Sequence, residues 1–164
     1  MTPQSRLSSP QEVPMHGKAG VHMYSTFNHR RVVGHGEDAY ARCVSALLSG
    51  RAHRAAGAPL TGPFTVGGVV TIRPLGLRSL SSPCRILVRE SGPESTLLVY
   101  GTLPGHLEEG EETFRVELTD ADEVVVTVSA FSRPAHWLTR LGGPVALAAQ
   151  RLMARRYVTA IGRQ

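Results

Sequence analysis

Lysine is almost missing from this chain: Lys18 is the single lysine among 18 basic residues, so the net charge of +5 is built from arginine. That usage reads as the coding bias of a GC-rich genome as much as a surface made basic for a partner. Cysteine is scarce too, with only Cys43 and Cys84, and no CxxC spacing. Two such thiols exclude a disulfide framework or a zinc site and read as reduced, partly buried side chains. Aromatic residues make up 5% of the chain, and none is interleaved with the basic residues in the manner of a nucleic-acid surface, so no specific nucleic-acid partner is expected. No apolar run approaches the roughly 18 to 20 residues that would span a bilayer. The polar, Pro-rich start lacks the apolar core of a secretory signal, so the expected location is cytoplasmic.

Recurring catalytic signatures are missing as well. There is no GxGxxG, P-loop or GxSxG motif, which argues against nucleotide-dependent and serine-hydrolase chemistry. The histidines show neither HxxxH nor HExxH spacing, and Glu108 to Glu112 lacks the alternating oxygen ligands of a calcium loop. Neither a metal nor a cofactor is expected.

What is there suits one domain. The 164 residues are 41% apolar and 19% charged, an ordinary soluble composition and a length sufficient for a single core. Residues 1–24, rich in Ser, Pro, Gln and Gly, show no apolar period and read as a disordered tail, with Met15 and Met23 as alternative starts. Residues 25–164 form the expected domain. Charge along it is polarised: Glu108 to Glu123 is acidic, whereas Arg133 to Gln164 carries arginine and no acid. The basic end reads as a solvated helix face.

Periodicity then assigns the elements. An opening strand is expected over Tyr24–Val33, and a helix over Glu37–Arg54, where Tyr40, Cys43, Val44, Leu47 and Leu48 recur at spacings of three and four. Glu37 and Asp38 complement its dipole in the first turn. Five strand-like runs follow: Val66–Arg73, Cys84–Glu90, Ser95–Leu103, Glu112–Thr119 and Glu123–Phe131. In the fourth, Phe114, Val116 and Leu118 alternate with polar residues, so one face is buried and one is wet. The connections are too short for parallel crossovers, which makes the sheet antiparallel. Ser132-Arg133-Pro134 reads as the start of a terminal helix, with Ser132 as N-cap and a break at Gly142-Gly143-Pro144. Trp137, Leu138, Leu141, Val145, Ala148, Leu152 and Ile161 supply its apolar stripe.

An antiparallel sheet with one apolar face must cover that face, and the long terminal helix is the available cover. The fold class is therefore α+β, a curved antiparallel sheet wrapped around a C-terminal helix. This order is similar to the helix-grip arrangement of Bet v 1/START-like proteins; the alternative is a small β-barrel with an attached helix.

Several motifs carry a more specific resemblance: Tyr100-Gly101-Thr102-Leu103-Pro104-Gly105-His106, then Gly110-Glu111-Glu112-Thr113-Phe114, and Ala130-Phe131-Ser132-Arg133-Pro134-Ala135-His136-Trp137-Leu138. With Gly142-Gly143-Pro144-Val145 and Arg155-Arg156-Tyr157, they resemble the DUF1990 (UPF0548) family in order and spacing. Weaker similarity reaches back to His29-Arg30. Gly50 departs from the pattern, because such proteins tend to carry tryptophan there, ahead of the His53-Arg54 pair. The resemblance implies no particular reaction.

Chemistry must then be read from side chains. Tyr100 and Thr102 share one side of a strand, and the turn that follows sets His106 at the strand end. Glu111 and Glu112 open the returning strand, close enough in sequence to bring a carboxylate beside His106 or Tyr100. Histidine with a carboxylate is a common general acid/base pair, and a Tyr or Thr hydroxyl can hold a developing oxyanion. Tyr100, His106 and Glu112 are the catalytic candidates; Thr102, Glu111, Ser132, Arg133 and Trp137 are the substrate-binding ones. Each also has a purely structural reading: a capping histidine, a wet hairpin tip, a helix cap, a core indole.

The helix-grip likeness implies a pocket for an apolar, polyketide- or lipid-like metabolite, acted on by a cofactor-independent cyclase, dehydratase or isomerase of bacterial secondary metabolism. The competing expectations are a ligand carrier without catalysis and a structural or partner-binding domain. A homodimer stays open.

Overall fold

The computed structural model describes residues 25–106, 108–134 and 143–163. The tail assigned to residues 1–24, Trp137 and the region just before Gly143 lie outside the described residues.

The chain opens with strand β1 (Ser25–His35) and turns into helix α1 (Gly36–Leu48), followed by the short helix α2 (Arg51–Ala55). Strands β2 (Leu60–Thr61), β3 (Val69–Ile72), β4 (Ser82–Ser91), β5 (Ser95–Thr102), β6 (Glu108–Leu118) and β7 (Glu123–Pro134) come next, and helix α3 (Gly143–Gly162) closes the chain. The seven strands form one sheet in the order β1-β7-β6-β5-β4-β3-β2, and every neighbouring pair is antiparallel. Consecutive strands pair from β2 to β7, as short hairpin links require, while β1 returns to pair with β7.

The alternation read in β6 sets Phe114 and Val116 inside, fully buried, with Thr113 and Arg115 on the other face. The same parity carries Leu98 and Tyr100 of β5, Ile86 and Cys84 of β4, and Val126 and Val128 of β7 onto the inner face. Helix α1 buries Ala39, Tyr40, Cys43, Ala46 and Leu47 at the expected spacing. It is pinned by the Tyr40 hydroxyl, which donates to the Gly92 carbonyl at 2.8 Å and lies 2.9 Å from Thr96 Oγ1.

Three expectations need correction. The helix expected over Glu37–Arg54 is two helices, because Gly50 takes φ +72° between them, a left-handed geometry that glycine adopts at no steric cost. Ser132, Arg133 and Pro134 do not start a helix. They end β7, paired with Gly110, Glu109 and Glu108 of β6. Proline is tolerated there because the strand stops with it. Finally, the buried face of α3 is Ala154, Tyr157, Val158, Ala160 and Ile161, so Ile161 belongs to it but Ala148 and Leu152 do not. Leu152 is 54% exposed, because it lines a pocket instead of packing into the core.

Candidate functional site

Beside Leu152, a pocket of about 350 Å³ opens between α3 and the sheet. Its walls are mostly apolar: Ile72 from β3, Leu75 and Leu80 from the turns after it, and Leu152, Met153 and Tyr157 from α3. Leu75 and Leu152 are 60% and 54% exposed, an unusual exposure for leucine that makes sense at a binding mouth. Leu75 also holds φ 56°, a strained value for a residue with a branched side chain, and its N–H donates to the Gly57 carbonyl at 2.7 Å.

A smaller recess of about 60 Å³ adjoins the pocket and shares His106, Glu108, Glu112 and Gln150 with it. Tyr100 and Thr102 complete its β5 side, and Ala130 and Ser132 its β7 side. The composite site is thus apolar at the mouth and polar at the inner end, the usual plan of a small-molecule pocket.

Backbone register builds the polar end. Tyr100 pairs directly with Glu112 across β5 and β6, and Glu112 pairs with Ala130 across β6 and β7. The Tyr100 hydroxyl is buried and makes no well-formed hydrogen bond, although it lies near enough to the Glu112 carboxyl to interact with it. Burial pushes the Glu112 carboxyl up to about 7; the nearby Tyr100 hydroxyl opposes that shift and the charge of Glu108 adds to it. Burial, reinforced by the charge of Glu112, also holds the Tyr100 phenol well above its ordinary range. Glu112 is therefore poised to exchange a proton near neutrality, and Tyr100 remains a neutral hydroxyl.

His106 sits in the turn before β6, where the Glu108 N–H donates to its Nδ1 at 2.9 Å. Burial lowers the ring below its ordinary pKa against the opposing charge of Glu108. A neutral ring whose Nδ1 accepts must carry its proton on Nε2, which makes that atom a donor.

Glu108 organises the connection to the helix. Gln150 Nε2 donates to both of its carboxylate oxygens at 2.6 Å, and Ser132 Oγ donates to Oε2 at 3.0 Å. Gly110 permits this arrangement: a Cβ there would meet Ser132 Cα at 2.7 Å and the Phe131 carbonyl oxygen more closely still. The Gly110 N–H in turn donates to Thr102 Oγ1 at 2.9 Å, which holds β6 against β5 beside the recess.

The structure thus brings Tyr100, Thr102, His106, Glu112 and Ser132 together. Glu111 is an exposed residue of the opposite parity, although it borders the recess. Arg133 points away: its Nη2 donates to Glu109 at 2.7 Å on the outer side of the sheet. Trp137 lies outside the described residues.

Three residues of this region carry no site signal in the sequence. Glu108 lies in an acidic stretch whose members look alike, and Gln150 in a helix of unremarkable pattern. His53 of α2 is fully buried among Phe64, Tyr100, Phe114 and Tyr157, with ring centroids 5.1 to 6.2 Å away. Neither of its nitrogens has a hydrogen-bond partner, and burial lowers its pKa to about 4. The clues available in the sequence are the His53-Arg54 pair of the family pattern and its place between Ala52 and Ala56 on a buried helix edge.

Both cysteines are free and buried, and burial pushes Cys84 up to about 12, so neither has the character of a nucleophile. Among the described residues, no group of His, Cys, Asp or Glu is arranged to hold a metal ion, and no helix is long and apolar enough to cross a membrane. A second depression, lined by Arg155, Arg156 and Arg163 against Ala55–Gly57, is the surface groove of the basic helix face.

A seven-stranded antiparallel sheet that curls around a terminal helix, with a pocket between them, is the helix-grip fold of Bet v 1-like proteins. Solved structures of this kind align over most of the chain. Norcoclaurine synthase from Thalictrum flavum, in complex with dopamine and hydroxybenzaldehyde, matches with a TM-score of 0.56 at 15% identity, covering 94% of this chain and 95% of that one. Ginseng major latex-like protein 151 from Panax ginseng matches with a TM-score of 0.56 at 13% identity, covering 84% and 96%. At such identities the likeness is one of fold.

Within that fold the chain belongs to the family described as a domain of unknown function, DUF1990, whose model matches residues 9–160. A UPF0548 protein of Deinococcus radiodurans is 35% identical over 147 residues, covering 79% of this chain and 72% of the relative. A UPF0548 protein of Arabidopsis thaliana is 47% identical over 55 residues, covering 34% of this chain and 27% of the relative.

Proposed function

We propose that this protein binds an apolar small molecule between sheet and terminal helix and acts on it by cofactor-independent acid/base chemistry, as a cyclase, dehydratase or isomerase. The observation that carries the proposal is the cross-strand pairing of Glu112 with Tyr100, whose buried hydroxyl makes no well-formed hydrogen bond, at the polar end of an otherwise apolar pocket. A buried hydroxyl without a partner is costly in the empty protein, by about 1 to 3 kcal/mol, and becomes useful when a ligand supplies the missing atom.

The roles follow from protonation states. Glu112, titrating near neutrality, takes a proton from a ligand carbon or returns one to a leaving oxygen. Tyr100 donates to the oxygen on which charge develops, and His106 offers its Nε2 proton from the neighbouring turn. Norcoclaurine synthase, of the same fold, is an enzyme that holds two small aromatic molecules, which supports a ligand of that size. Two buried free thiols suit the reducing cytoplasm, where we place this activity.

The test is turnover of a substrate found by screening polyketide- and lipid-like compounds against thermal stability. Tyr100→Phe and His106→Ala should each lower kcat by about 100-fold or more while ligand still binds. Unchanged turnover would defeat the catalytic assignment, and binding without turnover in the parent protein would make it a carrier.

A further inference from the structure

The charge of the polar end is unbalanced. Glu108 and Glu112 stand four residues apart on the inner face of β6, with Gly110 between them on that face, and both border the pocket and the recess. The hydrogen bonds that Glu108 receives come from neutral groups, the Gln150 amide and the Ser132 hydroxyl. Among the described residues, no arginine lies within ion-pair distance of either carboxyl group. Arg133 is engaged by Glu109 on the outer side, and Arg156, exposed, lines both the apolar pocket and the groove near Gly57 but not the recess, and makes no ion pair with either carboxyl group.

Two carboxyl groups without a cation would by themselves be a solvated acidic patch. The independent observation is Tyr100, only 2% exposed, which borders the same recess and whose hydroxyl makes no well-formed hydrogen bond. Hydroxyl and carboxyl oxygens together form an acceptor-rich cup with room for a small headgroup, behind a wall of leucine, isoleucine and methionine.

We propose that the ligand of this pocket carries a cationic amine on an apolar body, with the ammonium group seated in the recess between Glu112, Glu108 and the Tyr100 hydroxyl. The inference rests on the reading that the pocket binds a small molecule, and it adds the charge class of that molecule. A cation there supplies the counter-charge that the recess lacks, and its N–H groups donate to Glu112 and the Tyr100 hydroxyl, whose oxygens receive no well-formed hydrogen bond, and add charge to the neutral donors that Glu108 already has. An anionic ligand would meet repulsion from both carboxylates. A neutral one would leave the charge uncompensated.

Three probes of one size separate the possibilities: 2-phenylethylamine, 2-phenylethanol and 3-phenylpropanoate, each titrated into the full chain and followed by NMR shifts of residues around Tyr100 and by calorimetry at pH 8. The amine should bind about tenfold or more tighter than the alcohol, and the carboxylate should not bind. Glu112→Gln and Glu108→Gln should each remove most of that preference, read as the ratio of amine to alcohol affinity within each variant. If the alcohol or the carboxylate shifts the same residues with equal or greater affinity, the charge assignment is overturned and the pocket stands. If none of the three probes nor anilinonaphthalene sulfonate perturbs these residues, the pocket reading fails with it. Should Glu108→Gln not fold, Glu112→Gln decides alone, since Glu112 takes no part in the Gln150 contact.

Discussion

Tyr100 and Glu112 face each other across β5 and β6 on the buried side of the sheet, a phenol without a well-formed hydrogen bond beside a carboxyl group held up to about 7. Each is unfavourable in the empty protein, and together they define the end of the pocket where chemistry is to be expected.

Tyr100→Phe removes a buried hydroxyl that makes no well-formed hydrogen bond. The variant should match or exceed the parent in stability, by up to about 1 kcal/mol in urea unfolding, because a desolvated polar group disappears and the ring packing against Phe114 at 5.4 Å is kept. A loss of more than 1 kcal/mol would mean that the hydroxyl has a partner in the native state.

Glu112 and His53 should give opposite pH dependences that mask one another. Glu112 is raised from 4.5 to about 7, so the folded state holds a proton that the unfolded state has lost, and stability falls as pH rises through that window. His53 is lowered from 6.5 to about 4, so the unfolded state holds the extra proton there, and stability rises with pH. Between about 4.5 and 6.5 the two slopes cancel. Relative to the parent, Glu112→Gln should gain on the order of 2 kcal/mol as pH rises from 4.5 to 7, and His53→Phe should lose its acid sensitivity below 6.5, both read from urea midpoints across pH. Parallel curves for parent and variants would refute the assignment.

Gly110→Ala should be severe. A methyl group there runs into the Phe131 carbonyl and lies 2.7 Å from Ser132 Cα, so β6 and β7 must part where Ser132 meets Glu108. A loss of about 2 to 4 kcal/mol is expected, with weaker binding of any pocket ligand. Circular dichroism melts and probe titration measure the two effects.

The thiols should be inert in the native protein. At pH 8, iodoacetamide should leave Cys43 and Cys84 unmodified over hours, and unfolding in urea should expose both, as mass spectrometry would count. Rapid native labelling of Cys84 would show that β4 opens at the site.

Much of the fold was legible because local periodicity reports local burial. The opening strand, the α1 stripe of Tyr40, Cys43 and Leu47 and the five later strands all follow from spacings of two or of three and four. Strand β2 escaped notice because two residues, Leu60 and Thr61, carry no period. The Ser132-Arg133-Pro134 cap was misread because a Ser–Pro start signal is local, whereas pairing with Glu108–Gly110 is not. The terminal stripe was misphased at Leu152 because apolar residues lining a pocket look, in sequence, like residues filling a core.

For the site, the sequence by itself determined which side chains share a face: parity sets Tyr100 with Thr102, and Glu112 with Phe114, whatever the strands pair with. Only the tertiary structure decided that Tyr100 meets Glu112, that Gln150 of α3 reaches Glu108 of β6, and that His53 is sealed among aromatic rings. Register and the space between helix and sheet arise from how whole surfaces pack. Residues 42 positions apart, like Glu108 and Gln150, leave no periodic trace of their contact in the chain. The polar end first suspected at a strand-end turn is therefore set by strand alternation, but its closure, its protonation and its unbalanced charge come from packing.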